Sequence, residues 1–174
     1  ERVTPEGFGM ALHANIAESM AVEAADPWFI RTARQAESRG IPVWTDWFLG
    51  GVSEETEPFE RLAHPLTIWR GLRRIHATRG VTGIKEYYGL LPDRVETDAN
   101  LRATLLFLRE PDLDESMVLE RLAAPYGEVA PLVAEAMRLA SEGMERYPWD
   151  CSWMGRQIGR SRTDHALSAA ILRP

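Results

Sequence analysis

The chain has almost no cysteine: Cys151 stands alone among 174 residues. A single thiol excludes an intrachain disulfide and a cysteine zinc cluster, and it leaves the compartment open. Long apolar runs are missing too; none approaches the roughly 18 residues that suggest a membrane span. No signal peptide is legible at the start. A basic stripe is also absent. The net charge is -6, and Arg156, Arg160, Arg162 and Arg173 read as a solvated C-terminal face. Duplex nucleic-acid binders concentrate Lys and Arg on one face. Neither nucleic acid nor membrane is therefore an expected partner.

Several chemical signatures are absent as well. The histidines, His13, His64, His76 and His165, include no pair at metal-binding helical spacing. Gly7-Phe8-Gly9 and Gly50-Gly51 do not match a phosphate-cradling loop. There is no Gly-x-Ser-x-Gly elbow, and Cys151 has no flanking base. No metal and no organic cofactor is expected.

What is abundant is tryptophan, with six residues. Trp44, Trp47, Trp149 and Trp153 lie near Gly, Pro or acidic residues rather than in apolar helix stripes. Aromatic faces beside carboxylates suit sugar binding; packing in a core or between subunits is the competing use.

Along the chain, Phe8 to Ile16 read as a strand. Asp26-Pro27 then starts a helix as N-cap and first turn, and Gly40 ends it. The next strand is expected from Ile41 to Leu49, with Pro42 at its start, where a missing N–H is tolerable. Leu66, Trp69, Leu72 and Ile75 recur at three- and four-residue steps, which predicts a helix over Pro65 to Thr78. Gly80 closes it, and Val81 onward reads as a third strand. Beyond Glu96 the periodicity is helical throughout. Asp98 or Thr97 caps one helix bearing Leu101, Leu105, Leu106 and Leu108. Asp114 caps another through Ala123, and Pro125-Tyr126-Gly127 breaks it. A long helix follows from Val129 to Arg146, with Val133, Ala136, Met137 and Ala140 on one face. A last helix is expected over Asp164 to Leu172.

Alternating strands and helices imply a parallel sheet with helical crossovers. The expected class is α/β: residues 1–96 as parallel β/α units of a partial (β/α) barrel, and residues 97–174 as a helical C-terminal segment. Three strands cannot close a barrel. The opening at Glu1 rather than methionine favours the end of a longer domain. An upstream barrel segment or a second copy of the chain would then complete the sheet.

Parallel strands bring their C-terminal ends to one rim, where such folds place ligand groups. Each expected strand ends near an acidic residue: Glu18, Asp46 and Glu86. Glycoside hydrolysis uses two carboxyl groups roughly 5–10 Å apart, one protonated and one ionised. Asp46 lies between Trp44 and Trp47, and Glu86 precedes Tyr87 and Tyr88; burial among rings raises a carboxyl pKa. Strand alternation puts Ile84, Glu86 and Tyr88 on one face, and Trp44, Asp46 and Phe48 on one face. If the apolar members point inward, both carboxylates do. Asp46 and Glu86 are thus the candidate catalytic pair, with His13, Asn15, Glu18, Trp44, Trp47, Tyr87 and Tyr88 as candidate substrate-binding groups. His13 with Glu86 is a candidate acid–base pair or sugar-hydroxyl contact, and a hydrogen-bonded structural histidine is the favoured alternative. The alternative for each carboxylate is a structural ion pair with Lys or Arg.

Gly40-Ile41-Pro42-Val43-Trp44 and Gly80-Val81-Thr82-Gly83-Ile84-Lys85-Glu86-Tyr87-Tyr88-Gly89 resemble the last strands of glycoside-hydrolase-type barrels. The run from Asn100 through Pro111-Asp112-Leu113-Asp114 to Pro125-Tyr126-Gly127 resembles the helical segment after the barrel in α-glucuronidase-like and β-N-acetylhexosaminidase-like enzymes. The resemblance covers roughly residues 40–147. It implies a barrel and a carbohydrate substrate. In the hexosaminidase-like enzymes the acidic pair lies on an earlier strand, so Glu86 and Asp46 would be sugar-contacting groups at the rim.

Two functional expectations follow. One is a carbohydrate-active protein, the C-terminal part of a glycoside hydrolase. The other is a non-catalytic binding or assembly domain whose helical tail packs on a partner. A stand-alone α/β hydrolase or isomerase ranks last, because no nucleophile or cofactor motif supports it.

Overall fold

The computed structural model describes residues 9–13, 27–48, 63–87 and 98–146. In chain order these form β1 (Met10–His13), α1 (Pro27–Ser38), β2 (Val43–Phe48), α2 (Pro65–His76) and β3 (Val81–Tyr87). The helices α3 (Ala99–Arg109), α4 (Glu115–Ala123) and α5 (Ala130–Arg146) follow, with a 3-10 turn at Ala124–Val129 before the last. The chain is thus mostly helical around one small sheet. The expected helix over Asp164 to Leu172 lies outside the described residues.

The sheet has the order β1-β2-β3, and both pairings are parallel. Neighbouring parallel strands joined through helices require right-handed crossovers, which put those helices on one face. The burial pattern agrees. Leu12, Val43 and Thr45 are buried, and the first two join one apolar cluster with Phe29, Ala33 and Ala36 of α1. Ile41 and Pro42 precede β2 rather than belonging to it, yet the Pro42 carbonyl still accepts from Met10 N at 2.8 Å.

The cluster continues through α2 into α3, α4 and α5, by way of Leu66, Ile68, Trp69, Leu72, Phe107, Val118, Leu122 and Met137. Most of α2 is buried around its circumference, including Leu66, Thr67, Ile68, Trp69, Gly71, Leu72 and Ile75. A helix enclosed on most sides is a core element rather than a surface one. Trp69 meets Phe107 edge-on, with centroids 5.0 Å apart.

The buried residues of helix α3 are Ala99, Asn100, Ala103, Thr104 and Phe107, while Leu105 and Leu108 are exposed. Leu101 and Leu106 are partly buried and pack against the core. On α5 the buried residues are Met137, Ser141 and Met144, and Ala136 is exposed. Caps fall where the sequence places them. Asp98 accepts from Asn100 N at 2.8 Å and Leu101 N at 2.9 Å, and Asp114 accepts from Met117 N at 2.9 Å.

Candidate functional site at the sheet face

Strand β3 carries one extra residue against β2. Val43 pairs with Val81, but Trp44 pairs with Gly83, which leaves Thr82 as a bulge. The Thr82 hydroxyl donates to the Val43 carbonyl at 2.8 Å and pins it. The bulge lets Val81 and Ile84, three residues apart, both pack on the core. It also fixes which residues share the other face.

That other face carries Ala11, Trp44 and Lys85, all exposed. Among the described residues no helix covers it. Trp44 is 51% exposed although it sits on the central strand. Its indole lies between two glycines. A β-carbon on Gly83 would stand 2.6 Å from the ring, and one on Gly9 would stand 3.9 Å from it. The absence of side chains at both sites makes room for the ring, which stays half-exposed.

The register then orders the polar positions. His13 pairs with Asp46, and Asp46 pairs with Lys85, so positions 13, 46 and 85 form one row across the sheet. This row lies two residues beyond Trp44, toward the C-terminal ends of the strands, on the parity of the helix-free face. Glu86 pairs with Trp47 instead. Positions 46 and 86 therefore belong to opposite faces of the sheet. The expectation that Asp46 and Glu86 share an inward face is corrected, because Trp44 marks the open side whereas Ile84 packs on the core. The expected His13–Glu86 pairing is corrected as well: β2 separates β1 from β3, and His13 is level with Asp46. Lys85 was not among the expected site residues. Its signal in the sequence is its place two residues after Gly83, the glycine that makes room for Trp44.

The side chains of His13, Asp46, Trp47, Glu86 and Tyr87 lie outside the described residues, as do Asn15, Glu18 and Tyr88 entirely. Among the described residues, no group of three or more His, Cys, Asp or Glu is placed to hold a metal ion.

No family model, no curated protein and no solved structure matches the chain. The reading of the site rests on its geometry.

A second polar cluster, inside the helices, has a structural explanation for most of its members. The His64 backbone N–H donates to Asn100 Oδ1 at 2.9 Å, and Leu66 N donates to Ser141 Oγ at 3.1 Å. Thr67 Oγ1 donates to the Ser141 carbonyl at 3.2 Å. These bonds satisfy the first turn of α2 and tie it to α3 and α5, the usual fate of buried polar groups. The His64 ring is the exception. It is fully buried, and among the described residues neither Nδ1 nor Nε2 has a hydrogen-bond partner of good geometry. Burial lowers its pKa to about 4 against smaller opposing effects, first of its own backbone and then of the Asp98 charge, so the imidazole is neutral. On the outside of the same bundle, Arg70 forks onto Glu115, Nε to Oε1 at 2.7 Å, and reaches Glu145 Oε1 at 2.6 Å. The Glu115 hydrogen bonds, more than the Glu145 contact, hold its guanidinium pKa above the ordinary arginine value.

Proposed function

We propose that the three strands are neighbouring strands of a (β/α) barrel of glycoside-hydrolase type. In this reading the chain is the carbohydrate-active C-terminal part of such an enzyme, and a sugar ring rests on Trp44. The observation that carries the reading is the half-exposed Trp44 on a helix-free sheet face, one step before Asp46 at the C-terminal ends of parallel strands. Parallel sheets are ordinarily covered on both faces. In a barrel the second face is the interior, and ligands enter at the C-terminal rim. An open indole surface beside carboxylate and donor positions suits a polyhydroxylated ring, which presents C–H groups to the aromatic face and hydroxyls to its edge.

The test is oligosaccharide binding and glycosidic-bond hydrolysis by the complete protein. Trp44→Ala is expected to weaken sugar affinity by about tenfold, on the order of 1.4 kcal/mol. Asp46→Asn is expected to lower turnover by at least as much. Sugar binding and turnover untouched by both substitutions would overturn the reading.

A second reading is favoured by one other feature. Val129, Leu132, Ala136 and Leu139 lie three, four and three residues apart and are all exposed. Such spacing forms an apolar stripe from the end of the 3-10 turn along α5, as expected for a helix that packs on a partner. A chain that is dimeric in solution and becomes monomeric on Leu132→Glu would favour an assembly domain.

A further inference from the structure

We infer that Asp46 and Lys85 act together as a clamp for two adjacent hydroxyl groups of the ring that stacks on Trp44. The inference rests on the sugar reading above and names which part of the sugar the site recognises. The register makes Asp46 and Lys85 direct neighbours on adjacent strands, where paired positions are about 5 Å apart. Both positions lie on the parity of the helix-free face, where Lys85 is exposed. Trp44 precedes Asp46 by two residues, a rise of about 6.6 Å along the strand. That span matches a six-membered sugar lying on the indole with its edge reaching the next row.

The chemistry of the row selects the ligand class. A carboxylate only accepts hydrogen bonds and an ammonium only donates them. A hydroxyl can donate to the first and accept from the second, so a vicinal diol satisfies both groups at once. Aspartate and lysine also cancel in charge. A pair with no net charge has no preference for an anionic ligand. It fits a neutral pyranose with two free neighbouring hydroxyls. Glu86 takes no part in this contact, because its position falls on the other face.

Two measurements test the clamp. A water-soluble carbodiimide joins a carboxylate to an amine only when they touch, and mass spectrometry of the treated chain is expected to find an Asp46–Lys85 amide. Tryptophan-fluorescence titration with the methyl glycosides of glucose, galactose and mannose supplies the second. Lys85→Met is expected to weaken the best-bound glycoside by tenfold or more, and Lys85→Arg to recover part of the loss. The same glycoside O-methylated on the hydroxyl pair is expected to bind wild type and Lys85→Met alike. Trp44-dependent binding that Lys85→Met leaves unchanged overturns the clamp while the sugar reading stands. Absence of the Asp46–Lys85 amide also overturns it. Failure of wild type to bind any of the glycosides overturns the sugar reading and the clamp with it, even if the amide forms.

Discussion

The ring of Trp44 lies so close to Gly83 that a β-carbon there would stand 2.6 Å from it. Two parallel strands thus share one residue's worth of space, which the indole occupies. Gly83→Ala forces a rigid ring to move, and overpacking of this kind costs about 1–3 kcal/mol. The expected outcome is a lowered urea midpoint and an altered tryptophan emission. Because the two residues are in contact, their effects should not add. The alanine change is expected to cost much less in a Trp44→Ala background, and additivity in the double mutant would contradict the contact.

Gly80 is constrained twice over. Its φ is 96°, and an added β-carbon would meet the Ala33 carbonyl oxygen at 2.4 Å. The first constraint costs a side chain roughly 1–2 kcal/mol. The second is a clash with backbone of α1, which cannot rotate away. Gly80→Ala is expected to destabilise the chain by about 3 kcal/mol or more. By contrast Gly40, with φ 68° and no neighbour within 4 Å, has only the conformational constraint. Chemical denaturation of the two variants checks the ranking, with Gly80→Ala the worse.

The sequence was legible where local signals decide. Asp98 and Asp114 cap helices because short acceptors reach free N–H groups, and that depends on a few neighbouring residues. The alternation of strands and helices likewise fixes a parallel sheet. The faces were harder to read. Strand alternation placed Asp46 with Trp44 and Glu86 with Ile84, and the register keeps positions 46 and 86 on opposite faces. The inference that the two sets share one face fails. Apolar character marks Trp44 as an inward residue, while the structure buries Val43 and Thr45 instead. Only the pairing across strands, shifted by the Thr82 bulge, resolves this, and a bulge has no signature in a single strand. On the helix bearing Leu101, Leu105, Leu106 and Leu108 the sequence named no buried face; the structure buries Ala99, Ala103 and Thr104 and exposes Leu105 and Leu108.

Arg70 joins three helices through Glu115 on α4 and Glu145 on α5. The arginine fork matches one carboxylate with two parallel bonds, a geometry lysine cannot supply. The groups are about one-third exposed, so water screens part of the attraction. Arg70→Lys is expected to cost about 1 kcal/mol, and Arg70→Met somewhat more, since Glu115 and Glu145 then lose the cation between them and only Arg74 remains near Glu145. The loss should shrink in Arg70→Met/Glu115→Gln. Thermal unfolding of the four proteins at low and high salt measures both effects.

His64 gives the bundle a pH dependence whose sign follows from its burial. In the unfolded chain the imidazole titrates near 6.5, and in the fold near 4. Between these values the unfolded state takes up a proton that the folded state refuses. Stability from this group is therefore complete above pH 6.5, declines as the pH falls toward 4, and changes no further below that. The full difference is roughly 3 kcal/mol. His64→Leu fills a similar place without a titrating group, and without two unsatisfied ring nitrogens. It is expected to be close to neutral at pH 7.5 and to outlast wild type at pH 4.5. Urea midpoints at pH 7.5, 5.5 and 4.5 decide the matter. Equal slopes for wild type and His64→Leu would mean that the ring is protonated or hydrated in the fold, and that the acid sensitivity of the chain arises elsewhere.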